Sequence, residues 1–256
     1  MLVAAVDTAT LTLSCALCQV AGGDAALVCD RTEHAPLRTA PGGRPGGHGD
    51  LLPGALQDLL VATGRRIADL EAYAVGLGPG SFTGLRVGLA TWKGLAYANR
   101  RPIAGASSLM AMALAAAPDA GLGALLVPLL DARKGELYAG FYRVRGGGVE
   151  TAAPEAALGP QALLERAAAL ALAGEEPLGF GEGYEAHRAA LEGRLPRLET
   201  ELSTPPAHAV ARLAAAQLAG AAFDAPALYG LEPHYLRPSE AEVRFPHGLV
   251  PAKDRA

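Results

Sequence analysis

The sequence predicts an α/β protein in which mixed sheets are covered by helices, and three observations support this fold class. Half of the 256 residues are hydrophobic, which is enough for well-filled cores. Three strand patterns open the chain and are followed by alternating helix and strand patterns, an order typical of a mixed sheet with helices on both faces. A similar pair of strands recurs after residue 107 and indicates an internal duplication.

The first half of the chain supplies the elements of one sheet. Apolar or alternating runs at residues 2–6, 11–20 and 25–29 predict three strands joined by turns. A Gly- and Pro-rich loop then leads to Asp50, which we predict to be the N-cap of a helix at 51–63. The remaining predicted elements of this half are a strand at 71–77, a helix at 82–98 and a strand at 102–107.

The second half repeats this order in a smaller form. Asp7 and Asp131 hold the same place in two similar strand pairs, each at the turn between an apolar strand and an alternating one. The other predicted elements are helices at 109–117, 161–172 and 207–222, a strand at 177–182, a short helix near residue 185 and an extended piece near residue 235. We therefore predict an N-terminal lobe at 1–106, a smaller lobe at 107–227, a segment near 228–240 that packs on the first lobe, and a loose tail at 241–256.

Charge and composition exclude several classes of function. The net charge is -4 and the pI is about 5.9, so the chain lacks the basic field of stand-alone nucleic-acid-binding proteins. No apolar run reaches the roughly 20 residues of a membrane span, and the N-terminus lacks a signal-peptide pattern. We expect a cytoplasmic protein that makes no membrane contact and meets RNA only through a partner.

The cysteines and histidines do not indicate a metal site. Cys15 and Cys18 form a C-x-x-C within a predicted strand, where an offset of three residues places the two side chains on opposite faces. Buried reduced thiols are the better interpretation. The six histidines include no pair at the helical spacing of four that aims two imidazoles at one ion.

The stretch GLGPGSFTGLRVGLATWKGLA, at residues 76–96, is the least ordinary part of the sequence. It lacks the lysine of a P-loop and the glycine spacing of a dinucleotide-binding turn. It still joins a strand to a helix, where free N–H groups can bind an anion, and Gly80, Ser81 and Thr83 are the candidates. A catalytic hydroxyl is a second interpretation, although the G-x-S-x-G pattern is absent. The third is that Ser81 or Thr83 is simply the helix N-cap.

The predicted helix at 82–98 also has the pattern of a packing surface. A glycine in a helix interior costs roughly 1 kcal/mol relative to alanine, so Gly84, Gly88 and Gly94 need a compensating contact. Small residues four apart allow another helix to approach closely, and both predicted helices of the first lobe carry broad apolar faces. We predict a partner helix, and the alternative is that both helices are buried inside this chain. The predicted interface residues are Leu51, Leu52, Ala55, Leu59, Gly84, Leu85, Gly88, Leu89 and Trp92.

Five stretches of the sequence form a distinctive set: HGDLLPGALQDLLVATG, AVGLGPGSFTGLRVGLATWKGLA, PIAGASSL, DARKGELYAGFY and PHYLR. Together they resemble the TsaB (YeaZ) family of bacterial tRNA-modification proteins. The resemblance implies two duplicated ribonuclease-H-like lobes of the actin-like and Hsp70-like ATPase fold. It also implies a degenerate nucleotide-binding turn at Asp7, Thr8 and Thr10, in which Ala9 replaces the usual glycine. A histidine pair that binds metal in the related TsaD subunit is reduced here to His48, because Leu52 stands four residues later.

The resemblance further implies a function and its partners. TsaB-like proteins act as non-catalytic subunits that pair with a TsaD-type transferase through their first two helices. The complex installs N6-threonylcarbamoyl on adenosine 37 of tRNAs that read ANN codons, and a TsaE-type ATPase subunit joins the pair. We expect no catalytic residue and no cofactor other than ATP or ADP at the partner interface, a homodimer when the chain is alone, and tRNA contact only within the complex. The alternatives are a stand-alone enzyme of the actin-like fold, either a phosphotransferase or a glycoprotease-like peptidase, and a stand-alone tRNA-binding module.

Overall fold

A computed structural model describes residues 1–22, 24–34 and 48–237 of the chain. Up to residue 106, the described residues form five strands and two α-helices. These elements are β1 (Leu2–Asp7), β2 (Thr12–Ala21), β3 (Asp24–His34), α1 (His48–Ala62), β4 (Ala72–Gly76), α2 (Phe82–Asn99) and β5 (Ile103–Ala106). A short 3₁₀ helix, Ile67–Asp69, precedes β4.

The second part contains four strands and six helices among the residues described. These elements are α3 (Ser108–Ala120), β6 (Leu125–Arg133), β7 (Glu136–Arg145), β8 (Gly148–Leu158), α4 (Pro160–Leu170), β9 (Leu178–Phe180), α5 (Glu182–Ala186), α6 (Arg188–Leu191), α7 (Ala207–Leu218) and α8 (Ala225–Gly230). Within the same ranges, no helix is long and apolar enough to cross a membrane.

The two sheets have the same strand arrangement. The first sheet has the order β3-β2-β1-β4-β5, in which β1 pairs antiparallel with β2 and parallel with β4. The second has the order β8-β7-β6-β9, in which β6 pairs antiparallel with β7 and parallel with β9. The second sheet thus repeats the first without its last strand. The predicted fold class, two duplicated lobes with mixed sheets and flanking helices, is confirmed.

Some element boundaries differ from the prediction. Helix α1 begins at His48, so Asp50 lies in its first turn and is not the N-cap. A carboxylate there still interacts favourably with the helix dipole. Strand β8 and helix α8 are absent from the prediction. Strand β8 was missed because it is rich in alanine and glutamate, which are uncommon in strands. Helix α7 ends at Leu218, four residues before the predicted end.

Helices cover both faces of the first sheet. Residues of α1 and α2 share one core with β1, β2 and β4, and residues of α7 share a second core on the opposite face. Cys15 lies in the first core and Cys18 in the second, which confirms that these thiols point to opposite faces. Helix α3 packs on the second sheet. Helix α7, which falls within the predicted lobe at 107–227, packs on the first sheet.

Residues 223–237, which we call the C-terminal strap, run across both lobes. The backbone N–H of His234 donates to the carbonyl of Leu77 at the end of β4, at 2.7 Å. Arg237 donates from Nη1 to the carbonyl of Ala132 at 2.9 Å and pairs with Glu136 at 3.0 Å. The strap therefore ties the first sheet to the turn between β6 and β7. The predicted tail at 241–256 lies outside the described residues.

A buried ion pair fastens the second lobe. Arg143 on β7 lies 2.7 Å from Glu175, and its guanidinium also donates to the carbonyls of Gly123 and Leu170, each at 2.9 Å. Glu175 accepts a further hydrogen bond from the N–H of Leu125 at 3.0 Å. The pair therefore joins β6, β7 and the loop after α4.

We expect Glu175→Ala to lower the free energy of unfolding by about 3 kcal/mol. The cause is the Arg143 side chain, which is only 11% exposed and would lose its counter-charge. Urea denaturation monitored by circular dichroism measures the change. The double variant Arg143→Met/Glu175→Leu removes both charges and should be more stable than Glu175→Ala. Equal losses in the two variants would mean that the orphaned charge is not the cause.

Candidate functional site

The turn after β1 lies against the start of α2 and the start of α3. Its carboxylate, Asp7, is 1% exposed. One carboxylate oxygen, Oδ1, accepts from the N–H of Ala9 at 2.8 Å, and Oδ2 accepts from the hydroxyl of Ser108 at 2.5 Å. Burial raises the pKa of Asp7 from 3.8 to about 6, against the opposing effect of these two hydrogen bonds.

The hydroxyl groups of the threonines in this turn form hydrogen bonds within the chain. Thr8 is fully buried, and its hydroxyl donates to the carbonyl of Gly84 on α2 at 2.8 Å. Thr10 is 4% exposed, and its hydroxyl accepts from the N–H of Thr12 at 3.0 Å. The hydroxyls that could meet a phosphate are instead bonded within the chain, Thr8 to α2 and Thr10 to Thr12. The residues present therefore do not fit a nucleotide at this position.

The loop before α2 closes over the same turn. The backbone N–H of Ser81 donates to the carbonyl of Ala9 at 2.6 Å, and the Ser81 hydroxyl accepts from the N–H of Gly84 at 3.2 Å. Ser81 is thus the N-cap of α2, one of the roles that the sequence left open. A Cβ at Gly80 would overlap the backbone of Ala9. Of the three anion-loop candidates, only Thr83 is exposed.

His48 lies beside this turn at the start of α1. It is 7% exposed, and its Nε2 has no hydrogen-bond partner among the residues described. Burial lowers the pKa of His48, although the nearby carbonyls of Leu11 and Thr12 act in the opposite direction. Leu52 stands one turn later and is fully buried. No group of three His, Cys, Asp or Glu side chains within the described ranges is placed to hold a metal ion.

The second strand pair places its carboxylate differently. Asp131 accepts from the N–H of Arg133 at 2.8 Å and pairs with the Arg133 guanidinium at 3.1 Å. The His187 ring lies 3.7 Å from the same carboxylate. Arg133 and Lys134 both adopt left-handed backbone conformations, with φ of 62° and 55°. The Arg133 guanidinium and the His187 ring therefore both lie beside Asp131.

The structure reassigns the glycines of α2. A Cβ at Gly88 would overlap the Thr8 hydroxyl, and a Cβ at Gly84 would overlap the Thr8 carbonyl. These two glycines therefore allow the turn after β1 to approach α2 closely. The buried Trp92 likewise points inward, and its Nε1 donates to the carbonyl of Ala4 at 2.9 Å.

The other predicted interface residues are also interior. The side chains of seven of them, apart from the two glycines, belong to the cores of this chain: Leu51, Leu52, Ala55, Leu59, Leu85, Leu89 and Trp92. Leu51 is half-buried, and the rest are 0–6% exposed. The alternative of burial inside the chain therefore describes these side chains. Their apolar character alone could not distinguish a core from an interface.

A different row of small residues lies on the surface. The line Ala90, Gly94 and Ala98 runs along the exposed side of α2, and nothing lies within 4 Å of a Cβ added at Gly94. Helix α1 lies beside it, and its exposed residues include small and uncharged ones as well as Asp50 and Asp58. We call this surface the outer face of α1 and α2, and its members are Pro53, Gly54, Gln57, Val61, Ala90, Gly94 and Ala98.

Alanine substitutions at Gly88 and Gly94 should have opposite effects on stability, because Gly88 faces the interior of the chain and Gly94 faces outward. We expect Gly88→Ala to lower the free energy of unfolding by about 1 to 3 kcal/mol, because its methyl group overlaps Thr8. Gly94→Ala meets open space and should raise it by about 1 kcal/mol through helix propensity. Thermal and urea unfolding of both variants measure the difference. Destabilisation by Gly94→Ala would contradict this assignment of the two sides.

Comparison with known proteins gives a consistent result. Residues 45–243 match the family described as TsaD, tRNA N6-adenosine threonylcarbamoyltransferase. The tRNA threonylcarbamoyladenosine biosynthesis protein TsaB of Bacillus subtilis is 28% identical over 246 residues, covering 96% of this chain and 98% of that protein. TsaB of Escherichia coli is 42% identical over 115 residues, covering 43% of this chain and 48% of that protein, about half its length.

A solved structure agrees with the sequence comparison. The structure of YeaZ from Pseudomonas aeruginosa superposes with a TM-score of 0.71 and 29% identity, covering 92% of this chain and 99% of that one. The chain therefore belongs to the TsaB (YeaZ) group of the tRNA N6-adenosine threonylcarbamoyltransferase (TsaD) family.

Proposed function

We propose that this chain takes part in the biosynthesis of N6-threonylcarbamoyladenosine as a non-catalytic subunit that activates a TsaD-type transferase. The product is the modified adenosine 37 of tRNAs that read ANN codons. The two proteins pair through the outer face of α1 and α2. The names of the relatives support the pathway, since both the B. subtilis and E. coli proteins are described as tRNA threonylcarbamoyladenosine biosynthesis proteins.

The outer face of α1 and α2 is the observation that carries the proposal. Small side chains at Gly54, Ala90, Gly94 and Ala98 leave the two helix backbones close to solvent, so that another helix can pack at short range. Val61 adds an apolar side chain that is 67% exposed. A helix gains nothing from an interior glycine at Gly94 unless a neighbour uses the space. The same face would pair two copies of the chain when the transferase is absent.

The packing around Asp7 supports a non-catalytic role. Catalytic carboxylates must reach a substrate or an ion, and Asp7 is enclosed by Ala9, Gly76 and Ser108. The stand-alone enzyme needs an open turn here, so the structure gives that alternative no support. We place no nucleotide in the Asp7 turn, and any ATP or ADP that this chain contacts would lie at the partner interface. A TsaE-type ATPase subunit completes the proposed complex.

Mixing the purified chain with the TsaD-type subunit of the same organism tests the proposal. We expect a 1:1 complex in size-exclusion chromatography with light scattering. Depletion of the chain in its own cells should lower the threonylcarbamoyladenosine content of tRNA, measured by mass spectrometry. The absence of both effects would exclude the proposed role. A modification activity of the purified chain alone would exclude the non-catalytic assignment.

A further inference from the structure

We propose that the seam between α2 and the C-terminal strap is an RNA-binding surface that stacks bases and contacts phosphates. This inference rests on the proposed function, because it assigns the tRNA a contact on this subunit in addition to the transferase. The seam is built by residues far apart in sequence. Its members are Phe82, Arg86, Lys93, Tyr97, Arg100, Phe223, Tyr229 and Tyr235.

The seam collects the exposed aromatic side chains of the described residues. Four aromatic residues are exposed in the described part of the chain, and all four lie here. Phe82 and Tyr235 are 37% and 39% exposed, and their ring centroids are 5.1 Å apart. Tyr97 and Tyr229 are 52% and 64% exposed, and their centroids are 6.1 Å apart. Aromatic side chains usually bury large areas, so their gathering on one surface indicates a binding function.

Cations lie beside these rings along α2. Arg86 lies over the Phe82 ring, 3.9 Å from its centroid, and donates from Nε to the Tyr235 hydroxyl at 3.0 Å. This arrangement fixes the guanidinium while its hydrogen bond uses only Nε. Lys93 donates to the Tyr229 carbonyl at 3.0 Å. The residues of α2 include no Asp or Glu, although the chain as a whole carries a net charge of -4.

A further cation follows the end of α2. Arg100 is exposed, and its guanidinium lies 5.1 Å from the centroid of the Phe223 ring on the strap. From Phe82 to Arg100 the stripe follows α2 for roughly 27 Å at the helical rise per residue. Aromatic rings and cations along one groove are the combination by which proteins hold unpaired nucleotides, with stacking on the rings and ion pairing to the backbone.

Acidic residues of the strap explain why the seam would bind RNA only when a partner subunit also holds it. Asp224 and Glu232 are exposed on the strap and reduce the positive potential of the seam. Phosphate binding depends on the number of neutralised contacts, so three cations beside two acids give weak binding at physiological salt. RNA held by a partner subunit is present at high effective concentration, and a weak second contact then adds to the affinity. An acidic protein would use the cations but would not need exposed ring faces.

The test measures RNA affinity and complex assembly separately. A fluorescently labelled tRNA transcript is titrated with the chain assembled on its transferase subunit, and fluorescence anisotropy reports the binding. We expect Tyr97→Ala/Tyr229→Ala to weaken binding about tenfold, from a stacking loss of at least ~1 kcal/mol per base. Tyr97→Phe/Tyr229→Phe keeps both rings and should bind as the wild type does. The two doubles differ only in whether a ring is present.

Charge reversal tests the ionic contacts. Lys93→Glu and Arg100→Glu should each reduce the slope of log K against log salt by roughly 0.7 to 0.9 for each lost phosphate contact. Arg194→Glu reverses an exposed charge in the second lobe and should leave the slope unchanged. Melting temperatures of all variants confirm that each chain is folded.

Each outcome bears on the inference. Unchanged RNA affinity in the alanine double variant overturns it. Loss of assembly with the transferase at unchanged RNA affinity also overturns it and makes the seam a protein contact. If the wild-type chain does not pair with the transferase, the proposed function fails, and anisotropy on the chain alone at low salt then decides whether the seam binds RNA.

Discussion

Gly94→Arg should abolish pairing with the TsaD-type subunit while the chain stays folded. The position is exposed and nothing lies within 4 Å of an added Cβ, so the lone chain can accept the new side chain. Arginine is also a better helix former than glycine. In the pair, a long charged side chain would stand between two closely packed helices and bury an unpaired charge. We expect affinity to fall by about a hundredfold or more, which is roughly 3 kcal/mol.

Isothermal titration calorimetry of the variant with the transferase subunit measures this loss. Gly94→Ala is the matched control, because it adds one methyl group and no charge. Leu172→Arg is a second control, which places an arginine at a 64% exposed position of the second lobe and should pair normally. Wild-type affinity in Gly94→Arg would remove the outer face of α1 and α2 from the interface. Threonylcarbamoyladenosine content in cells that carry only the variant gives an independent measurement.

This prediction depends on a distinction that the sequence alone could not make. Gly84, Gly88 and Gly94 look alike in the sequence, and each lies in a row of small residues. Two of them face Thr8, whose hydroxyl bonds to a residue 76 positions away in the chain. Such a contact depends on how α2 packs against the turn after β1, and local sequence periodicity does not predict this packing. Of the three, only Gly94 is exposed with open space around an added Cβ.

The order of elements was easier to predict than the site. The apolar run of β1 and the alternation of β2 have strong local signals, and both strands lie where the pattern placed them. The duplicated strand pair around Asp131 was visible for the same reason. Strand β8 carries no such signal, since it is partly exposed and is an edge strand that pairs only with β7. The seam is a further case, because its contacts between α2 and the strap join residues 136 and 149 positions apart, which meet only after folding.

The difference in stability between the Asp7→Asn variant and the wild type should change with pH. Burial raises the pKa of Asp7 to about 6, so the folded chain holds a proton that the unfolded chain releases near pH 4. The protonated carboxyl thus favours folding below pH 4, and this contribution is lost as pH rises through about 6. The loss is about 3 kcal/mol for a shift of roughly two units. Asparagine resembles the protonated acid and carries no such dependence.

We therefore expect the two chains to have similar stability near pH 4 and the variant to be more stable by about 3 kcal/mol near pH 7, as urea unfolding across this range measures. Ser108→Ala should widen the gap between pH 4 and 7, because the Ser108 hydroxyl stabilises the charged carboxylate. A stability difference that does not vary with pH would contradict the raised pKa.

The Asp7→Asn variant also tests function, since a carboxylate that held metal or moved a proton would lose that role when replaced by asparagine. A structural Asp7 instead predicts that Asp7→Asn supports normal threonylcarbamoyladenosine synthesis, and loss of synthesis in a folded, pairing variant would return Asp7 to the chemistry.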